Sequence, residues 1–159
     1  RLDADTDYLL VDTAAGISRN VIDLLLASDE VVVVSTPESP AIIDAYAVIK
    51  IILAEAPDKN IQAVVNCAES ASEAEEVFRQ INSVVQRFLG REIEYLGHIE
   101  RDARVVEALR DRMPVTHRFP DAPASRCFRD LARRMTRREG EVRSSEGLLW
   151  GKLINDWIN

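Results

Sequence analysis

The stretch Asp7-Tyr8-Leu9-Leu10-Val11-Asp12-Thr13-Ala14-Ala15-Gly16 decides how the rest of the chain is interpreted. Four apolar residues lead into one acid, and a loop of small residues follows. Mg²⁺ in proteins takes one or two carboxylates together with phosphate oxygens and water, so a single acid at the end of a buried strand is sufficient for it. The stretch therefore predicts a carboxylate, Asp12, placed beside a terminal phosphate. The alternative is that Asp12 only caps the turn that follows.

The glycine-rich motif that would bind such a phosphate is absent from the sequence. No Gly-x-x-x-x-Gly-Lys-Ser/Thr motif occurs in the 159 residues. The chain starts with Arg1 and reaches an apolar run within a few residues. We therefore expect it to be a processed product or the later portion of a longer polypeptide, without a signal peptide.

Composition favours one soluble globular body with an uneven charge. The chain is 47% apolar and 30% charged, with a net charge of −7. Residues 1–117 carry 11 Lys and Arg against 21 acids, whereas residues 118–143 carry eight Arg against four acids. The two cysteines, Cys67 and Cys127, fit neither a disulfide framework nor the usual Cys/His metal spacing, so we expect reduced, buried thiols.

Apolar runs of strand length alternate with helical patterns along the chain. The first three runs are nearly continuous, which is typical of strands that are covered on both faces of a parallel sheet. The predicted strands are 8–11, 31–34, 61–65 and 93–99. This order predicts an α/β fold with a doubly wound, mostly parallel sheet and helices on both faces.

Capping signals mark where the helices between these strands begin and end. Ser39-Pro40 is typical of an N-cap followed by a proline in the first turn. Ser70-Ala71-Ser72-Glu73 matches a capping box, and Gly90 is the expected end of that helix. Asp102 is expected to cap the next helix, and a last helix is expected through Phe128, Leu131 and Met135.

Polar residues stand at the ends of three predicted strands. They are Asp12-Thr13, then 35–38 (Ser-Thr-Pro-Glu), then Asn66-Cys67. In doubly wound folds, ligands bind outside the carboxyl ends of the strands, so these residues are candidates for one site. The alternative is that each is an ordinary polar turn after a strand.

Four segments resemble the later motifs of MinD/ParA-type ATPases. They are 7–17 (DYLLVDTAAGI), 35–50 (STPESPAIIDAYAVIK), 64–66 (VVN) and 97–102 (GHIERD). The phrase Asp44-Ala45-Tyr46-Ala47-Val48-Ile49-Lys50 resembles more narrowly the flagellar-number regulators of that family, the FlhG/FleN branch. The resemblance covers most of residues 7–135.

The resemblance implies ATP and Mg²⁺ as cofactors and gives each matching residue a role. Asp12 would organise the attacking water and would hold Mg²⁺ through a water molecule. Gly16 would lie in the switch loop beside the γ-phosphate, where an ordering transition follows phosphate occupancy. Asn66 would contact adenine through its amide. In relatives, the position of Asp102 lies in the loop that closes over the base. Asp102 is therefore assigned to the neighbourhood of the nucleotide without a specific contact.

Two residues of the helix that follows the second predicted strand fall on a surface that relatives use for dimer and partner contacts. These are Asp44 and Lys50. The alternative is an ordinary solvated helix face. The implied partners are a second copy of the chain and flagellar-assembly proteins, with a partner GTPase as the family-based expectation.

The chain departs from the family by lacking the phosphate-binding loop and the central strand before it. Phosphoryl transfer depends on positioning and charge neutralisation, so we expect this polypeptide alone not to hydrolyse ATP even with Asp12 retained. Loss of a central strand would leave strand edges exposed. An intertwined dimer, a separate chain or an altered strand order would cover the gap.

The last residues form a second predicted unit, so the domains are 1–143, a partial MinD-like α/β domain, and 144–159, an amphipathic helix. Its apolar residues recur at helical spacing. They are Leu149, Trp150, Leu153, Ile154, Trp157 and Ile158. Beside an arginine-rich stretch, this pattern is typical of an interfacial membrane anchor. We expect a cytoplasmic protein that such an anchor would hold on the inner face of the cell membrane. Packing on protein and disorder are the alternatives.

The arginines that precede this helix suit either attraction to anionic lipid or a solvated helix surface. They are Arg126, Arg129, Arg133, Arg134, Arg137 and Arg138. Binding to nucleic acid is disfavoured, because the body is acidic and no docking motif accompanies the cluster. His98 and His117 have no nucleophile nearby in sequence, and a structural role is expected for both.

Two classes of function follow. The first is the C-terminal portion of a MinD-like regulator of flagellar number and placement, with ATP-switched dimerisation and membrane association. The second is a nucleotide-independent interaction module that keeps the fold but not the phosphate-binding loop. Binding of ATP with Mg²⁺ discriminates between them.

Overall fold

Three of the four predicted strands form the sheet. The computed structural model describes residues 8–137. The strands are β1 (Glu30–Ser35), β2 (Asn60–Ala68) and β3 (Glu94–Glu100), each beginning one residue from the predicted start. They are parallel and lie in the order β1-β2-β3. The predicted α/β fold with an open parallel sheet is confirmed.

The prediction of a strand over residues 8–11 is wrong for the described structure. This segment forms no strand, and its apolar side chains are exposed, with Leu10 at 78%. A strand needs a neighbouring strand to pair its backbone N–H and C=O groups. This segment is not paired with the outer edge of β1 or of β3 in the described sheet, so apolar composition alone does not make it a strand.

Helices connect the strands and continue after them. They are α1 (Arg19–Ala27), α2 (Ser39–Glu55), α3 (Ala71–Leu89), α4 (Ala103–Arg110), α5 (Val115–Arg118) and α6 (Pro123–Arg137). The N-cap of α2 is Glu38, one residue earlier than predicted, and Pro40 lies in the first turn. Lys59 ties α1 to the start of β2, because its Nζ donates to the carbonyls of Leu26, at 2.8 Å, and Ser28.

The capping signals of α3 are confirmed at both ends. The Ser70 hydroxyl accepts a hydrogen bond from the Glu73 backbone N–H at 3.2 Å. The Glu73 carboxylate accepts one from the Glu69 N–H at 2.6 Å. Gly90 ends the helix with φ 63°, a left-handed conformation that favours glycine.

The main core lies between the sheet and the helices α2 and α3. Its fully buried side chains include Ile49 and Ile52 of α2, Val65 of β2 and Ile81 of α3. Alternate residues of β1 take the other side of the sheet, where Val34 remains 59% exposed. The sheet is thus well packed on the face that α2 and α3 cover and open beside β1.

The ladder between β2 and β3 skips one residue on each strand. Tyr95 pairs with Ala63 and Gly97 with Val64, which leaves Leu96 without a partner in the register; Cys67 is skipped in the same way on β2. An extra residue reverses the alternation of side chains beyond it. Tyr95 and His98, three residues apart, consequently project to the same side.

Helix α6 packs along β3 at a glycine. Gly97 has φ 148°, and a Cβ built on it would lie 2.8 Å from Cδ2 of Leu131. The Arg134 guanidinium donates a hydrogen bond to the Leu96 carbonyl at 2.9 Å. The close approach of α6 therefore depends on the absence of a side chain at position 97.

The predicted C-terminal helix, residues 144–159, lies outside the described residues, as do Arg138 and the six apolar residues assigned to a membrane anchor. Within residues 8–137, no helix is long and apolar enough to cross a membrane. Cys67 and Cys127 are free thiols, as predicted, but both are partly exposed, so the expectation that they are buried is wrong.

Candidate functional site

The carboxyl ends of the three strands form one rim of the sheet, called the strand-end rim below. It consists of Glu38 after β1, Asn66 near the end of β2, Glu69 after β2, and Arg101 after β3. Parallel pairing places these residues at one edge. This is the edge at which doubly wound folds bind ligands.

Asn66 lies at the bulge of β2 with part of its amide unused. Its Oδ1 accepts a hydrogen bond from the Cys67 N–H at 2.9 Å, and Cys67 has φ 59°. This left-handed conformation is about 1–2 kcal/mol less favourable for a residue with a side chain. The Asn66 NH₂ group has no hydrogen-bond partner among residues 8–137, so one Oδ1 lone pair and two N–H donors remain for a ligand.

Charged groups on the strand-end rim are predominantly acidic and are bridged by Arg101. Its Nε lies 2.6 Å from Oε1 of Glu69, and its Nη2 lies 3.9 Å from Oε1 of Glu38. A hydrogen bond with the Thr36 side chain, then the backbone of Glu38 itself, and to a lesser extent Arg101 lower the pKa of Glu38. The rim therefore carries carboxylates at neutral pH.

This distribution of charge suits a neutral base and not a triphosphate. Adenine presents a donor, N6, beside an acceptor, N7, and the Asn66 amide can pair with both. A polyphosphate at the same place would face Glu38 and Glu69 with a guanidinium that is already ion-paired. The residues present thus fit the base of ATP, while nothing on the described rim neutralises its phosphates.

Asp102 uses both carboxylate oxygens within the protein. Oδ1 accepts from the Arg104 N–H at 2.9 Å, and Oδ2 accepts from the Ala124 N–H at 3.1 Å. The predicted cap of α4 is confirmed, and the same side chain also holds the first turn of α6. Asp102 thus joins α4 to α6 by hydrogen bonds beside the strand-end rim.

Asp12 and Gly16 lie in the segment that precedes α1, away from any strand. Asp12 is exposed and forms no hydrogen bond or ion pair with another described residue. Gly16 has φ 105°, and an added Cβ would meet nothing within 4 Å. No hydrogen bond in the described part of the chain joins either residue to Asn66, and the Asp12–Gly16–Asn66 half-site stays a prediction.

The remaining sequence candidates are placed as follows. Asp44 and Lys50 are exposed on α2. His117 is exposed on α5, whereas His98 on β3 is partly buried, with its Nδ1 3.3 Å from the Tyr95 hydroxyl. Glu69 and Arg101 were not singled out as candidates from the sequence. The sequence did carry a signal for them, because each is a charged residue that directly follows a strand.

An open parallel sheet with a polar strand-end rim is typical of the class of doubly wound α/β proteins. The comparison with known families is specific: the ParA family model, described as NUBPL iron-transfer P-loop NTPase, matches residues 3–136. The chain belongs to the ParA family of P-loop NTPases. P-loop NTPases as a class bind nucleotide together with Mg²⁺.

Curated relatives include an antiactivator, a flagellum site-determining protein and a septum site-determining protein. The antiactivator FleN of Pseudomonas aeruginosa is 34% identical over 129 residues, which are 81% of this chain and 46% of FleN. The flagellum site-determining protein YlxH of Helicobacter pylori is 35% identical over 108 residues, covering 67% of this chain and 36% of YlxH. The septum site-determining protein MinD of Bacillus subtilis is 28% identical over 134 residues, covering 84% and 48%.

Among solved structures, the cell division ATPase MinD of Pyrococcus furiosus has the same fold. The two structures superpose with a TM-score of 0.66 at 20% sequence identity, and the match covers 86% of this chain and 54% of the Pyrococcus furiosus chain. The chain spans about half the length, or less, of the relatives it matches. The resemblance predicted from the sequence motifs is confirmed at the level of the family and its flagellar relatives.

Proposed function

We propose that this chain is the C-terminal portion of a MinD-like, ATP-binding regulator of flagellar number and placement. The observation that carries the proposal is the similarity to FleN and YlxH at 34% and 35% identity, which extends over 81% and 67% of the chain. The name of YlxH assigns that relative to determining the site of the flagellum, and FleN belongs to the branch that the sequence motifs resemble. In this role, ATP would switch dimerisation, and the dimer would meet flagellar-assembly proteins, a partner GTPase among them.

The residues of the strand-end rim support a proposal in which this chain binds the adenine of ATP and an upstream part of the polypeptide binds the phosphates. Asn66 offers the donor and acceptor that adenine needs, and the acidic neighbours Glu38 and Glu69 make the same rim unsuited to phosphates. In this proposal, the upstream part of the polypeptide supplies the phosphate-binding loop, and Asp12 holds Mg²⁺ when that loop is present. Asp12 and Gly16 then become ordered against the γ-phosphate, as switch loops of GTPases do.

Calorimetric titration of ATP with Mg²⁺ tests this proposal on two polypeptides, this chain and a version extended through its upstream sequence. We expect binding and hydrolysis only with the extended version, because charge neutralisation of the phosphates requires the missing loop. Hydrolysis by the 159-residue chain alone, or an extended protein that binds no nucleotide, would contradict the proposal.

Replacement of Asn66 by Ala in the extended protein is expected to weaken ATP binding about tenfold, because a bidentate amide–adenine contact contributes roughly 1–3 kcal/mol. The readout is the Kd for ATP compared with that for GTP, whose base presents two acceptors, O6 and N7, on the same edge. Asn60→Ala is the matched control, since Asn60 lies at the amino end of the same strand. Equal losses in both variants would exclude the adenine contact.

Membrane association is the proposed role of residues 144–159. Deletion of residues 147–159 is expected to abolish co-sedimentation with anionic vesicles, because the deletion removes the two tryptophans and the other apolar residues of the predicted anchor. The arginines of α6 that remain would give at most a weak, salt-sensitive attraction. Equal sedimentation with and without residues 147–159 would rule out the anchor.

The second candidate is a nucleotide-independent interaction module. The observation that favours it is the ion-paired, acidic strand-end rim, which needs no ligand to be satisfied apart from the Asn66 amide. The exposed residues Asp44 and Lys50 on α2 would then contact a partner. An extended protein that forms its dimer equally well with and without ATP would favour this candidate.

A further inference from the structure

Three side chains of metal-ligating type meet between β3 and α6. They are His98 and Glu100 of β3 and Cys127 of α6, and all three are partly buried. Their ligand atoms all lie within 4.8 Å of one another, and Nε2 of His98 lies 3.9 Å from Oε1 of Glu100. The proposed nucleotide function uses none of these side chains.

The fold holds the three residues together through rigid elements. His98 and Glu100 are two residues apart on one strand, a spacing that puts both side chains on the same side. Helix α6 is fixed against the same strand by the Arg134 hydrogen bond to the Leu96 carbonyl and by Leu131 over Gly97. Cys127 is therefore presented to β3 by a helix that has little freedom to move away.

His98 has the second partner that a metal-bound imidazole requires. Its Nδ1 lies 3.3 Å from the Tyr95 hydroxyl, because the skipped Leu96 brings residues 95 and 98 to the same side. When Nε2 binds a metal, Nδ1 carries the proton and can donate it to the phenolic oxygen.

We propose that His98, Glu100 and Cys127 form a zinc site with three protein ligands, the fourth position being taken by water. A mixed set of nitrogen, oxygen and sulfur donors suits Zn²⁺, whereas Mg²⁺ and Ca²⁺ take oxygen ligands. Metal–ligand distances of about 2.0–2.3 Å place tetrahedral ligands roughly 3.3–3.8 Å apart. The His98–Glu100 separation is already close to that range, and rotation of the Cys127 side chain would close the remaining gap.

Charge and proton balance are satisfied at this site. On binding, the Cys127 thiol releases its proton to solvent, and the resulting thiolate forms a bond with the metal. One thiolate and one carboxylate then neutralise the two positive charges of zinc. The site is independent of ATP and would fasten α6, and whatever follows it in the chain, to the edge strand β3.

Titration of the purified 159-residue chain with Co²⁺, followed by displacement with Zn²⁺, tests the proposal directly. We expect one equivalent of Co²⁺ to give a thiolate-to-metal charge-transfer band in the near ultraviolet, which Zn²⁺ abolishes and excess Mg²⁺ leaves unchanged. Saturating Zn²⁺ should raise Tm by about 5 °C, because it binds the folded state in preference to the unfolded one.

The chain offers a matched control for two of the three ligand types, since it has two histidines and two cysteines. Cys127→Ser and His98→Ala should each weaken Zn²⁺ binding by about a hundredfold, while Cys67→Ser and His117→Ala leave it unchanged. Tyr95→Phe should weaken it about tenfold by removing only the hydroxyl that orients His98. Circular dichroism establishes that each variant is folded.

Two results would overturn the proposal. One is the absence of a charge-transfer band in the folded wild-type chain. The other is a band that survives in Cys127→Ser but disappears in Cys67→Ser, which would place the bound metal elsewhere.

Discussion

Gly97→Ala is expected to lower the free energy of unfolding by about 3 kcal/mol. The new Cβ would lie 2.8 Å from Leu131 Cδ2, and φ 148° is a conformation that residues with side chains rarely adopt. Backbone strain of this kind and overpacking each destabilise proteins by about 1–3 kcal/mol. Urea denaturation followed by circular dichroism measures the loss.

Gly90→Ala is the matched control for this change. Gly90 also has a positive φ, 63°, but an added Cβ would meet nothing within 4 Å. We therefore expect a loss of only about 1 kcal/mol, from the left-handed conformation alone. In addition, Leu131→Ala should partly rescue Gly97→Ala in a double-mutant cycle. Equal losses at positions 90 and 97, without rescue, would show that α6 does not pack closely on β3.

Asp102→Ala is expected to destabilise the protein by about 3 kcal/mol, because one side chain caps two helices. Its loss removes the cap of α4, which is worth about 1 kcal/mol. It also leaves the Ala124 N–H without an acceptor in a fully buried residue, at a cost of about 1–3 kcal/mol. The measurement is the urea midpoint at constant m-value.

Asp102→Asn separates the two contributions. An amide has one oxygen, so it can accept from the Arg104 N–H or from the Ala124 N–H but not from both in the native manner. About half of the loss seen with Ala is expected. If Asn and Ala at position 102 destabilise the protein equally, the negative charge and not the pair of hydrogen bonds holds α4 and α6.

Local sequence signals predicted the elements whose backbone hydrogen bonds form within one helix or with the next strand along the chain. The capping box at Ser70 and the stop at Gly90 depend on groups within one helix, and both were predicted from sequence. The apolar runs at 31–34 and 61–65 became adjacent strands, since each had a parallel partner. The run at 8–11 has equal apolar content but is not paired as a strand in the described sheet, so local composition failed there.

The site was less predictable than the fold because it depends on distant contacts and on one bulge. The sequence suggested Asn66 through its place after an apolar run, but not the left-handed Cys67 that fixes its Oδ1. It gave no indication that Arg101 would bridge two acids from other strand ends. His98 was expected to be structural because its neighbours in space, Tyr95 and Cys127, are brought there only by the skipped residue in β3 and by α6.

The two skipped residues in the β2–β3 ladder have a further consequence for folding. A regular pair of strands can slide by two residues and keep the same side chains inward, so slipped pairings compete with the native one. Here each strand carries its irregularity at a different level, Leu96 near one end and Cys67 near the other. Any slip would misalign both at once, and β2 and β3 are thereby restricted to a single alignment during assembly.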